Sequence, residues 1–386
     1  MIHKPLYGYF DYAAATPMLP AAAEAMRPYL NDNFYNASAL YLSAKRNRRI
    51  IEDVRHEIAK GLGAKPLEIV FTAGGTEANN LAIHGIMQKF PDAHMIASAI
   101  EHDSVLAPAS KYDHSIVQVD ENGFVSLEAI KKAVKPSTVL ISVMYANNEI
   151  GTIEPIHEIS KYIERQRKIR KQNGNTYPLY LHTDACQATN YLDLQVSRLG
   201  VDLLSINAGK MYGPKQCGAL FIKTGIAPMP LLQGGGQEWN LRSGTENISA
   251  IVAFGASWKE VRGNYQQEAD RVTQLRNTLI HELLQRIPGC SLNGPKEKKR
   301  IANNVHITIK NIDNERLLME LDELGFMVAS GSACNASNDE PSHVLKAIGL
   351  NDEQARSSIR ITLGKYTEPR AIHALVDNIL QNIPKK

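Results

Sequence analysis

Seven short apolar or β-branched runs recur across the first two thirds of the chain: Glu68–Thr72, Met95–Ile100, Ser115–Val119, Val139–Met144, Leu179–Thr183, Leu203–Ile206 and Gly218–Ile222. Runs this short and continuous read as strands buried on both faces. Helical patterns lie between several of them. One begins at Glu154-Pro155, with Pro155 suited to the first helical position. Ile156, Ile159 and Ile163 share its face, and Lys168, Arg170, Lys171 and Gly174 mark its end. This alternation predicts an α/β fold: a large domain with a seven-stranded, mostly parallel sheet sandwiched by helices. Ligands of such sheets gather at the carboxyl ends of the strands.

After about Ala250 the rhythm changes. Val272, Leu275, Leu279 and Leu283 mark a long amphipathic helix ending near Pro288-Gly289. Val305–Ile309 and Ile359–Leu363 alternate cleanly, so one face of their sheet is polar. A helix over Asn314–Leu324 stops at Gly325, and a last one carries Ile372, Leu375, Ile379 and Ile383. The division expected is an N-terminal arm (1–15) packing with the small domain, a large domain (16–258) and a smaller α+β domain (259–386). A length of 386 residues suffices for two domains around a large core.

A net charge of +3 is too small to argue for nucleic acid or a membrane surface as partner. The first fifteen residues lack the basic-then-apolar order of a signal peptide, and no apolar run approaches the ~20 residues of a spanning helix. Cys186, Cys217, Cys290 and Cys334 have neither disulfide-framework nor metal-ligand spacing. A reducing cytoplasm is the expected location, and no intrinsic metal site is expected. The basic runs Lys45–Arg49 and Arg165–Lys171 read as solvated helix faces rather than as a dock for an acidic protein.

Six places carry candidate chemistry. In Ser205–Pro214 a Gly-Lys pair interrupts a buried strand. Lys210 there either snorkels to water or is desolvated, which lowers its pKa and frees its lone pair for Schiff-base chemistry. Phe71–Asn80 runs from a strand through Gly74-Gly75 into a helix at Thr76 or Glu77. It is either an anion site of free amides and a hydroxyl, or an ordinary strand-to-helix turn. Asp184 ends an apolar strand one strand–helix–strand unit before Lys210; it caps the next helix or meets a cation such as a protonated pyridine nitrogen. His102 follows another strand, as a ring-stacking, proton-moving residue or as a structural histidine. Cys334 sits in a small, polar Gly/Ser/Asn-rich loop, as a nucleophile or an incidental exposed thiol, with Asp339 or Glu340 and Pro341 opening the next helix. Arg360, alternating with Ile359 and Ile361, faces away from the core and suits a carboxylate held bidentately or a surface salt bridge.

Taken in order, Phe10–Pro17, Glu68–Glu77, Asn147–Gly151, Asp184–Gln187, Tyr212–Pro214, Arg242–Thr245, Ser330–Cys334 with Glu340–Ser342, and Ser358–Arg360 resemble the cysteine desulfurases of the NifS/IscS type. Those belong to class V of the fold-type-I pyridoxal-phosphate enzymes. The resemblance runs nearly end to end, and the Cys334 loop looks like that of the IscS/NifS branch rather than the SufS branch. It implies conversion of L-cysteine to L-alanine, with a persulfide left on Cys334 for an acceptor protein in iron–sulfur cluster assembly or tRNA thiolation. It implies pyridoxal 5′-phosphate carried on Lys210, with Asp184 at the pyridine nitrogen, Gln187 at the ring hydroxyl and His102 stacked on the ring. Gly75, Thr76 and Asn207 would hold the phosphate, with Thr245 reaching across from the second subunit of a homodimer. Arg360 and Asn148 would grip the substrate carboxylate, Lys210 or His102 would shuttle protons, and Cys334 could transiently ligate an iron–sulfur cluster.

Two departures stand out. Where the family usually reads Ser-Gly-His-Lys, this chain has Asn207-Ala208-Gly209-Lys210. Two phosphate-contacting side chains are replaced, which predicts weaker cofactor retention. The chain ends at Ile383-Pro-Lys-Lys386 without the longer tail of the housekeeping branch, so a scaffold protein, a tRNA-thiolation protein and a rhodanese-like carrier all stand as acceptors. Two other readings remain: another class V lyase or aminotransferase such as a selenocysteine lyase, and a degenerate homologue that only scaffolds sulfur transfer.

Overall fold

A computed structural model describes residues 6–331 and 341–383. Seven strands form the larger sheet: β1 (Ile69–Thr72), β2 (His94–Ser98), β3 (Asp113–Val117), β4 (Thr138–Ser142), β5 (Tyr180–Asp184), β6 (Leu203–Asn207) and β7 (Gly218–Ile222). Their order is β1-β7-β6-β5-β4-β2-β3. Neighbours from β6 to β3 run parallel, whereas β7 is antiparallel to both β6 and β1. The strands β1, β2, β4 and β7 are buried throughout, as continuous apolar runs between two helical layers must be. The edge strand β3 differs from the expectation of burial on both faces: most of it is exposed or half-buried, whereas β1 at the opposite edge is covered.

Helix starts also differ by a residue or two from the sequence reading. The helix after β1 spans Gly75–Met87 with Gly74 as its cap, so it begins ahead of Thr76. The Ile156–Gln172 helix has Pro155 at its N-cap rather than inside its first turn. Within that helix Arg170 is buried and donates to the carbonyls of Thr138, Pro178 and Lys135, so this basic run is not wholly solvated. Three open carbonyls at a strand start are a better partner for a guanidinium than the run of charges suggested.

The smaller sheet has the order β10-β9-β8, with β8 (Cys290–Leu292), β9 (Asn304–Ile309) and β10 (Ser358–Thr362) antiparallel. Val272, Leu275, Leu279 and Leu283 are buried along the Tyr265–Arg286 helix, which packs on the Pro369–Asn382 helix. The polar face of β9 and β10 is covered rather than wet. Asn293, His306, Thr308 and Ser358 hydrogen-bond among themselves on it. The N-terminal stretch lies alongside: Phe10 N donates to Met327 O at 2.9 Å, and Thr362 N donates to Phe10 O at 2.7 Å.

The parallel strands and β1 thus present their carboxyl ends along one edge of the large sheet, and the polar side of β10 faces that edge.

Candidate active site

A cavity of about 280 Å3 opens where the two sheets meet, and a wider one of about 690 Å3 adjoins it, sharing Gly75, Thr76, Asn207 and Lys210. The smaller is lined from the large sheet by His102 after β2, Asn148 after β4, Asp184 and Gln187 after β5, and Lys210 after β6. Arg360 lines it from β10. Side chains at successive strand ends therefore converge on one space, which short, staggered parallel strands make possible.

Lys210 follows β6 in a single helical turn. Its Nζ donates to the carbonyl oxygens of Ala13 and Ala14 at 2.7 and 2.6 Å. Burial lowers its pKa below the usual 10.5, and the nearby Arg360 guanidinium adds to that, against the pull of Cys186, Asp11 and Asp184. The amine is neither snorkelled nor salt-bridged. Two neutral acceptors hold it, and each can be given up without stranding a charge.

Asp184 accepts from Asn79 Nδ2 at 2.7 Å through one oxygen and from the Cys186 amide at 2.9 Å through the other. The carboxylate caps its own turn rather than the next helix, whose N-cap is Gln187, and it lines the cavity. His102 is similar. The Ser104 amide donates to its Nδ1 at 3.0 Å, capping the helix Asp103–Ala109. That bond assigns the neutral ring's proton to Nε2. Gln187 Nε2 donates to Ala13 O at 3.0 Å, the same carbonyl that Lys210 engages.

Beneath Lys210, the Gly75–Met87 helix opens with no side-chain cap, so its first amides are free for an anion. A Cβ on Gly75 would come within 2.7 Å of Cys186 Sγ, so only glycine fits that turn. Glu77, the one acidic residue of the first turn, is drawn aside by Arg242 at 2.8 Å. Asn207 Oδ1 accepts from the Gly209 amide at 3.0 Å, which commits the oxygen and leaves the NH2 group to donate. That nitrogen lies 3.5 Å from where a Gly75 Cβ would stand.

Arg360 is only 2% exposed, so it does not make a surface salt bridge; its ion pair with Asp11, at 2.7 Å, is largely inside the protein. Nη1 donates to Asn148 O at 3.2 Å, while Nε has no partner. The Arg360 side chain lines the cavity, where its guanidinium can meet an anionic ligand.

Thr245 does not join the cavity; it is exposed on the surface of the chain. Cys334, with Asp339 and Glu340, lies outside the described residues; the helix that follows begins at His343 with Ser342 as its cap, after Pro341. Several lining residues were not singled out from the sequence: Asn79, Glu101, Glu149, Cys186 and His343. Glu101 immediately precedes His102, and Glu149 lies inside Asn147–Gly151, so adjacency to a chosen motif was the available signal. Among the described residues no cluster of side chains could hold a metal ion, and no helix is long and apolar enough to cross a membrane.

Known proteins resemble this chain over nearly its whole length. The sequence profile described as "Aminotransferase class-V" matches residues 8–375. A protein of Dictyoglomus turgidum named "Cysteine desulfurase IscS" is 43% identical over 385 residues, covering 98% of this chain and 94% of that one. One of the same name from Methanosarcina thermophila is 40% identical, covering 98% and 91%. Among solved structures, the NifS-like protein from Rickettsia africae superposes with a TM-score of 0.85 at 30% identity, covering 97% and 99%. "SspA in complex with cysteine" gives a TM-score of 0.80 at 33% identity, covering 94% and 100%. The large mostly parallel sheet with its smaller companion is the fold-type-I architecture. The chain belongs to the class V aminotransferase family.

Proposed function

We propose that this protein is a pyridoxal 5′-phosphate-dependent cysteine desulfurase, which converts L-cysteine to L-alanine and keeps the sulfur as a persulfide on Cys334. The observation that carries the reading is the pairing, on one cavity, of a desolvated lysine held only by carbonyls with a buried arginine whose Nε is unmatched. The names of the relatives, each similar over nearly the whole chain, support the same substrate.

The residues fit the cofactor. A glycine-only turn with free helix amides, the Thr76 hydroxyl and the Asn207 amide suit its phosphate. Asp184 suits a protonated ring nitrogen, Gln187 the ring hydroxyl, and His102 a ring face. When bound, pyridoxal 5′-phosphate supplies the electron sink that lets bonds at the substrate's Cα and Cβ break. Everything else falls to the chain. The Lys210 amine, whose pKa burial lowers, would hold the cofactor and move the Cα proton. Arg360 binds the substrate carboxylate, with the Asn148 backbone holding the guanidinium in place. The Cys334 thiolate forms an S–S bond with the substrate sulfur as the Cβ–S bond breaks. The electron pair remains with the carbon skeleton, which takes up a proton and leaves as alanine, so no outside oxidant or reductant is needed.

The proposed division is an arm (1–15), a large domain (16–258) that holds the cofactor and a small one (259–386) that brings Arg360 and Cys334. A homodimer accounts for two further features. Thr245 is exposed, and Phe34, Leu40 and Leu42 expose large apolar side chains to solvent in the single chain. The proposed acceptor is an iron–sulfur scaffold or tRNA-thiolation protein, and the proposed location is cytoplasmic. The test is Cys334→Ser on the holoenzyme: sulfide release from cysteine should disappear. Undiminished turnover would favour a class V lyase or aminotransferase that needs no such thiol. A protein that binds no cofactor at all would instead be a degenerate scaffold.

A further inference from the structure

Glu149 is 1% exposed, yet it lines the cavity. An acid in that position is costly to desolvate unless it is put to use. Its backbone is pinned from three sides: Asn147 Oδ1 accepts from the amides of Glu149 and Ile150, each at 2.8 Å, and Asn304 Nδ2 donates to the Glu149 carbonyl at 2.7 Å. The carboxylate is therefore a fixed point.

Two other parts of the chain lean on that point. The Ser342 hydroxyl donates to Glu149 Oε2 at 2.6 Å. Gly331 passes close by, where an added Cβ would stand 3.1 Å from the same oxygen and 3.8 Å from Ser342 Cβ, at a φ of +145° that side chains rarely adopt. Gly331 and Ser342 thus meet at one oxygen. Ser342 in turn caps the helix His343–Ala347, accepting from the amides of Val344 and Leu345 at 3.1 and 3.3 Å. Upstream, Ala329 and Arg360 exchange backbone hydrogen bonds at 3.0 and 2.6 Å, which ties the approach to Gly331 to the arginine strand. Arg360, His343 and Asp103 are the charged or titratable side chains that face the carboxyl.

We propose that Glu149 is a positioning residue for sulfur transfer: through the Ser342 hydroxyl and against Gly331, it fixes the two points between which the chain carries Cys334. Its consequence for turnover rests on the desulfurase reading. Glu149 need not touch a reacting atom. Capture of cysteine depends on Lys210 and Arg360 and should survive its loss, whereas delivery of the thiol should not.

The test compares holoenzyme variants Glu149→Ala, Glu149→Gln, Ser342→Ala and the Glu149→Ala/Ser342→Ala double. Cysteine capture is read by the change in cofactor absorbance, persulfide formation by quenched single-turnover mass spectrometry. Glu149→Ala and Ser342→Ala should each slow persulfide formation by about tenfold or more, with half-saturating cysteine moved by less than about threefold. The double variant should be no slower than the slower single one, because both changes cut one link. Glu149→Gln, whose amide oxygen can still accept from Ser342, should keep most of the rate. Persulfide formation at the wild-type rate in Glu149→Ala, or losses that multiply in the double variant, would overturn the proposal. Hydrogen exchange reads the tie without turnover: the Val344 and Leu345 amides should exchange faster in Glu149→Ala, and unchanged protection would overturn it. A wild-type protein that captures cysteine but forms no persulfide would overturn the desulfurase reading instead, and exchange at Val344 and Leu345 would still decide the tie.

Discussion

Lys210 and Arg360 are two basic side chains, one half-buried and one buried, facing one cavity from two different sheets, and the chain treats them in opposite ways. Lys210 comes off β6 and is given only the carbonyls of Ala13 and Ala14, so burial pushes its amine toward the neutral form. Arg360 comes off β10 and is given the Asp11 carboxylate, which keeps a group that scarcely deprotonates at any pH in a tolerable setting. The same short stretch, Asp11–Ala14, serves both. The difference teaches that burial alone does not decide a cation's role. A neutral acceptor set prepares a nucleophile, whereas a counter-ion that leaves other N–H groups unmatched prepares an anion clamp.

The largest test of that contrast is Lys210→Arg, which keeps the charge and removes the usable lone pair. Alanine formation from cysteine should fall by ~10³-fold or more, with loss of the yellow colour that borohydride bleaches in the wild type. Turnover near the wild-type level would break the contrast outright. Next comes Arg360→Lys, which keeps a charge and loses the planar fork. Loss of a charge-assisted hydrogen bond of ~1.5–3 kcal/mol predicts a KM for cysteine raised about tenfold to a hundredfold with kcat much less affected. A kcat defect at unchanged KM would show that the arginine does something other than hold the substrate.

A smaller effect is expected at Asn207→Ala. Removing the amide beside Gly75 should release cofactor several-fold faster on dialysis, consistent with ~1 kcal/mol for one hydrogen bond. Retention as tight as in the wild type would mean that the free helix amides suffice.

Glu154 extends the contrast away from the cavity. It is a buried acid with no counter-ion among the described residues, and burial raises its pKa from 4.5 to about 8. Between those values the folded protein holds a proton that the unfolded chain has lost, so this group costs more stability as pH rises through about 8. Glu154→Gln removes that cost and can still accept from the Val125 amide. It should match the wild type at acid pH and be more stable by very roughly 2–4 kcal/mol above pH ~8, in urea titrations at both pH values. Equal stability at alkaline pH would show that the carboxyl is solvated on ionising.

Much of this was legible beforehand, for identifiable reasons. The strands of the large sheet could be read because most are buried on both faces and leave unbroken apolar runs, and Asp184 and Lys210 were legible as polar residues that end such runs. The exposure of β3 was not, because its sequence does not say which strand is left uncovered. The burial of Arg360 was missed for a related reason. Alternation along β10 reveals two faces but not that residues 9–12 lie beside them. Glu149 was quoted in a motif but given no role, since its partners Gly331 and Ser342 lie far along the chain and only folding brings them together.

The central claim is that sulfur leaves cysteine by way of Cys334, and mass spectrometry of the intact holoenzyme after a pulse of L-cysteine tests it most directly. The account predicts one added sulfur atom per chain, mapped to the peptide containing Cys334 and removed by a reducing thiol, with an equal amount of alanine in solution. Cysteine consumed with the added sulfur absent, or located on Cys186, Cys217 or Cys290, would contradict it.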